Sequence, residues 1–123
     1  MTTNMSVRRM KTHTAETGYV YQYYFVGSRP ALPGSPEAPA TEYVFDVTSD
    51  RKTTYAVSVF LLHSGLSQWA ASHERSLNDA EQYAAVKLGL IRAFDQVENM
   101  MTGGRRVLLD GPDLEELLTP LLD

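Results

Sequence analysis

Hydrophobic and polar positions alternate most regularly in two stretches of this chain. In "EYVFDVT", Tyr43, Phe45 and Val47 fall on one side, with Glu42, Asp46 and Thr48 on the other. In "TYAVSVFLL", Thr54 to Leu62, the residues Tyr55, Val57, Val59 and Leu61 align in the same way. A period of two puts one face on a core and the other toward solvent. Only "SDRKT", Ser49 to Thr53, separates the two stretches, which therefore predict an antiparallel hairpin. Upstream, "YVYQYYFV", Tyr19 to Val26, predicts a strand by composition, because tyrosine, valine and phenylalanine suit a pleated surface. Neither of its faces is strongly polar, so both are expected to be covered.

The period changes at Ser76. Ser76 as N-cap, with Asp79 three residues on, predicts the start of a helix that runs to about Met100. Leu77, Ala80, Ala84, Leu88 and Ile91 make one stripe, expected to face the sheet. Tyr83, Val86, Leu90, Phe94 and Val97 make an adjoining one. The combined arc exceeds the stripe of about 100° that one sheet face demands, so a second cover is expected. It is either the C-terminal segment or a second subunit, with the dimer preferred. Gly103-Gly104 stops the helix, "VLL" (Val107 to Leu109) reads as a short strand, and Leu114, Leu117, Leu118, Leu121 and Leu122 give an amphipathic last helix. His63 to Arg75 suits a helical turn or an edge strand; the strand is preferred because it continues the meander.

The expected fold is α+β: an antiparallel sheet of three to four strands, one long helix packed across it, and a short C-terminal helix. Residues 1–17 are polar without periodicity and predict a flexible arm. Residues 18–123 are expected to form a single domain, interrupted at 27–41 by a loop with four prolines and two glycines.

Composition narrows the function. Apolar content of 43% and charged content of 21% argue against wholesale disorder. With no cysteine, thiolate metal sites, iron–sulfur clusters and cysteine nucleophiles drop out. The three histidines, at positions 13, 63 and 73, have no metal-binding spacing. Ser64-Gly65 lacks the glycine of a nucleophile elbow, and the acids of "DLEEL", Asp113 to Leu117, read as favourable charges at a helix start. No catalytic residue, cofactor or metal site is predicted. No apolar run reaches the roughly 18 residues of a membrane span, and the N-terminus carries no secretory signal pattern. A cytoplasmic, non-membrane protein is expected.

A formal charge of −4 disfavours binding to phosphate backbones. The leading expectation is a non-enzymatic protein that works through protein–protein contact, as a homodimer or as a regulator of a larger partner. Its candidate interface is Tyr21, Tyr23, Tyr83, Leu90, Phe94, Leu117 and Leu121. The alternative is a nucleic-acid-associated protein that uses Arg8, Arg9, Lys11, Arg105 and Arg106. Seven tyrosines make a stacking platform conceivable, but the first tyrosine-rich strand has no interleaved lysine or arginine. A third reading is a small-ligand binder or enzyme with a pocket between sheet and helix.

"SLNDAEQYAAVKLGLIRAF", Ser76 to Phe94, resembles the last helix of a double-stranded RNA-binding domain. Ser76, Ala80-Glu81 and Ala84-Ala85 match that family's packing positions. Leu77 and Asn78 stand where the family has phosphate-binding lysines, so RNA binding does not follow. "YAVSV" (Tyr55 to Val59) and "SLNDA" (Ser76 to Ala80) also resemble the HicB-type antitoxin pattern. There "HSGLS" replaces the proline-glycine-cysteine segment, and no C-terminal DNA-binding unit follows. Each resemblance covers about half of the chain, and both imply an antiparallel sheet crossed by one long helix.

Overall fold

The computed structural model describes residues 9–122, in the order β1 (Lys11–Thr14), β2 (Val20–Pro30), β3 (Ala40–Thr48), β4 (Tyr55–Leu62), α1 (His63–His73), α2 (Asp79–Gln96), α3 (Met100–Gly103), β5 (Arg106–Leu109) and α4 (Gly111–Leu122). The α+β class is as expected. The sheet, however, has five strands and is mixed, where three to four antiparallel strands were expected. β1 to β4 form an antiparallel meander, and the chain then crosses through three helices to lay β5 parallel to β4. A parallel neighbour requires such a crossover, because a tight turn can only reverse the chain.

The hairpin β3–β4 has the register its pattern demands, with Phe45 opposite Val57 and Val47 opposite Tyr55. Tyr43, Phe45, Val47, Tyr55, Val57, Val59 and Leu61 are all buried on the face that carries the helices. β2 is longer than its apolar stretch. It bulges between Phe25 and Gly27 and continues to Pro30, which shortens the expected 27–41 loop to residues 31–39. Proline is tolerated there because it closes the strand. The loop is anchored, since Ala31, Ala40 and Phe60 form a small second core on the sheet's other face.

Lys11–Thr14 corrects the expectation of an arm through residue 17. It pairs with Val20–Tyr23 as β1, across a turn in which Gly18 takes φ +102°. Ala15 is buried in the main core, and His13 Nε2 lies 2.9 Å from Asp95 of α2. Residues 1–8, the rest of that expected arm, lie outside the described residues.

The segment 63–75 is a helix, not the preferred strand. Spacing decides it: Gly65 and Trp69, four residues apart, are its two buried positions and meet α4 on one face. A Cβ on Gly65 would sit 2.8 Å from the carbonyl carbon of Asp110, so only glycine lets α1 approach the start of α4 this closely. Gly65→Ala should therefore destabilise the fold by about 1–3 kcal/mol through overpacking against backbone. Gly27→Ala, where nothing lies within 4 Å, should remain near wild type in the same denaturant titration.

α2 starts later than expected. Asn78, not Ser76, is its N-cap, and a reciprocal capping box joins Asn78 to Glu81. Its buried positions are Ala85, Val86, Gly89, Leu90, Ala93 and Phe94, whereas Ala80 and Leu88 of the expected sheet-facing stripe are exposed. The wide arc is covered within the chain. Leu114 and Leu118 of α4 are fully buried, Leu109 of β5 fills the space above Gly89, and Arg92 pairs with Asp113 and Glu116.

Candidate functional site

The inward side chains of β2 are Tyr21, Tyr23 and Phe25, and they meet progressively less cover toward the bulge. Tyr21 is 1% exposed and stacks on Phe94 with ring centroids 4.4 Å apart, while Phe25 is 37% exposed. Phe25 instead touches Tyr83 at the start of α2, 5.0 Å between centroids, and Phe45 of β3, 5.4 Å. The Phe25–Tyr83 contact forms a ridge between α2 and the β2 side of the sheet.

An open hollow lies on each side of this ridge. One, of about 350 Å³, is lined by Tyr23, Phe45 and the cations of Arg9, Lys11 and Lys87. The other, of about 480 Å³, is lined by Ser28, Thr41, Tyr43, Asp79 and Gln82. Together they make a groove that runs along β2, basic at the Tyr23 end and carboxylate-bearing at the Ser28 end. Burial raises the phenol pKa values of Tyr23, Tyr43 and Tyr83, with Asp79 adding to the effect at Tyr43. These hydroxyls stay protonated near neutrality and can donate hydrogen bonds into the groove.

The described basic residues differ in their partners. Arg29, Arg75, Arg92 and Arg106 are each in an ion pair with a carboxylate. Arg9, Lys11 and Lys87 have no carboxylate partner among the described residues; Lys87 only reaches over the Tyr83 ring, with Nζ 4.9 Å from its centroid. Arg51, Lys52 and Arg105 also form no ion pair with a carboxylate among the described residues, but they do not line the groove.

The expected interface residues separate into groups. Tyr21, Leu90 and Phe94 belong to the chain's own core and present no surface, because the helices that cover them come from the same chain. Tyr23 and Tyr83 are half-buried and line the groove. Leu117 packs partly against the core and Leu121 is 56% exposed, both on α4 and outside the groove.

The basic residues also divide. Arg9 and Lys11 stand at the β1 edge of the sheet, and Arg105 and Arg106 at the β5 edge, with three strands between. Arg105 donates to the Ala56 carbonyl at 2.7 Å, and Arg106 donates from Nε to Glu37 at 2.9 Å. These two hold structure and join no common patch with Arg9 and Lys11; Arg8 lies outside the described residues.

Phe25, Tyr43 and Lys87 are among the groove residues that sequence reasoning missed, as are Phe45, Ser28, Thr41, Asp79 and Gln82. The available signal was Lys87 one turn after Tyr83, which puts a cation beside a ring on one helix face.

The histidines are dispersed: His13 is on Asp95, His63 is 3.1 Å from Thr41 Oγ1, and His73 is 2.9 Å from Glu115. Among the described residues no group of three or more histidine, aspartate or glutamate side chains is placed to hold a metal, and no helix is long and apolar enough to cross a membrane. No protein-family model, curated protein or solved structure matches this chain.

Proposed function

We propose that this chain is a non-enzymatic binding module that works through protein–protein contact, and that its contact surface is the groove along β2. The observation that carries this reading is the Phe25–Tyr83 ridge, with Phe25 exposed, beside cations that have no carboxylate partner among the described residues. Aromatic side chains held rigidly at a surface, flanked by charge, are typical anchors of protein interfaces. The site lacks the elements of a reaction centre. Among the described residues its one carboxylate, Asp79, stands on the far side of the ridge from the cations, and no nucleophile–base pair lines either hollow.

The buried part of the wide apolar arc of α2 offers no surface to a partner, since α4 covers it within the chain. The groove does offer such a surface. A photoreactive phenylalanine analogue placed at Phe25 in cells tests it, with the same group at Lys52, in the exposed β3–β4 turn, as the control. Protein adducts from position 25 and none from position 52 are expected. Equal adducts from both positions, or adducts to nucleic acid alone, would refute the reading.

A further inference from the structure

We infer that the groove docks an extended, acidic peptide segment of a partner protein; this deepens the protein-contact reading and rests on it. Three independent features converge on the same strip of surface.

The first is a strand edge. β1 pairs only with Val20–Tyr23, whereas β2 runs on to Pro30. Along Phe25–Arg29, the side away from β3 has no strand beside it among the described residues. An edge strand offers backbone donors and acceptors to any extended chain laid against it, and peptide recognition by strand addition uses this ladder.

The second is apolar anchorage. Alternate side chains of an added strand point toward the same face as Phe25, where Phe25 and Tyr83 offer ring surface. Such anchors give an otherwise sequence-tolerant ladder its selectivity.

The third is charge. Among the described residues, Arg9, Lys11 and Lys87 bring the cations of the groove to one wall, and the hollow past the ridge bears Asp79 instead. Carboxylates on the ligand therefore belong at the Tyr23 end and not at the Ser28 end. This polarity separates an acidic peptide from a nucleic acid strand. Evenly spaced phosphates along the groove would meet Asp79, and a sugar–phosphate backbone cannot complete the β2 ladder. Three cations would also supply little counterion release.

A random-peptide display library, panned against this 123-residue chain and against its Lys11→Glu/Lys87→Glu variant, tests the inference. Both lysines are exposed, so the variant should keep the wild-type circular dichroism spectrum. Peptides enriched on the wild type should carry clustered aspartate or glutamate next to an aromatic or aliphatic residue. A synthesised winner should bind roughly tenfold more weakly to the variant, as expected for two lost exposed charge contacts. It should also bind more weakly to Phe25→Ala, which leaves the charges in place.

Enriched peptides without acidic bias, or equal affinity for the double variant, would overturn the acidic ligand and leave the protein-contact reading standing. No enrichment over an unrelated control protein, with an oligothymidylate bound by the wild type and lost in the double variant, would overturn both. Self-association in sedimentation that the double variant abolishes would assign the edge to a second copy, and would overturn the inference while keeping a protein partner.

Discussion

Phe94→Ala should lower stability by about 3–5 kcal/mol, a large share of the roughly 5–15 kcal/mol that holds a domain together. The expectation follows from how many elements meet at this ring. Phe94 is fully buried; it stacks on Tyr21 at 4.4 Å, takes the edge of Tyr23 at 5.3 Å, and faces His13 at 6.0 Å. Truncation would open a cavity between α2, β2 and β1, whose lining side chains cannot all relax into it because each is held by its own strand. A fall in melting temperature on the order of 10–20 °C should accompany it. The companion test separates core from interface. Replacing Leu90 and Phe94 together by polar residues should unfold the protein at any concentration, since both are fully buried within one chain. An oligomer that merely dissociated into folded protomers would contradict the intrachain packing described above.

How much of this was legible in the sequence depends on how local each signal is. β3 and β4 announce themselves through strict alternation and a short turn, because one face of each meets the core at every second residue. α2 was legible as a helix, but its inward face was not. Ala85, Gly89 and Ala93 are small buried residues, Gly89 leaving room for Leu109 of β5, and hydrophobicity alone ranks them below Leu88, which is exposed. α1 hid for a related reason: only Gly65 and Trp69 of its eleven residues are buried, too few to establish a period. β1 is an edge strand with a polar composition, and its inward histidine is satisfied by Asp95, eighty-two positions away. No local pattern can report such a partner.

The groove was illegible for a stronger version of this reason. The tyrosine-rich strand lacked interleaved cations in sequence, and that counted against a binding platform. In the fold the cations arrive from elsewhere, Lys11 with β1 across a hairpin and Lys87 with α2 across the sheet. The separation of Arg9 and Lys11 from Arg105 and Arg106 has the same origin. Both pairs look like basic patches in the chain, yet four antiparallel strands and a parallel fifth put them at opposite edges.

Acid should unfold this protein through a specific set of carboxylates, and the sign can be worked out group by group. Hydrogen bonds from Arg106 to Glu37, from Arg29 to Glu42, from the Thr53 amide to Asp50 and from His13 to Asp95 hold each of those carboxyls below its ordinary pKa. The Arg75 guanidinium, with the Asn78 amide, takes Glu81 furthest, down to about 2. A carboxylate whose folded pKa is depressed binds its proton more readily in the unfolded chain. Its stabilising contribution is therefore fully present above the unfolded value, near 4.5 for glutamate, and is lost as pH falls through the folded value. Melting temperature should accordingly respond little to these groups between pH 7 and pH 5, then decline below about pH 4.5. Glu81→Gln isolates one member, because glutamine can keep the capping box but not the charge toward Arg75. The wild type should melt higher than this variant near neutrality, and the difference should shrink as pH approaches 2. Thermal melts followed by circular dichroism across that range measure it. A gap between the two proteins that stayed constant down to the lowest pH would show that the Glu81 charge contributes nothing, and that its role at the start of α2 is the hydrogen bond alone.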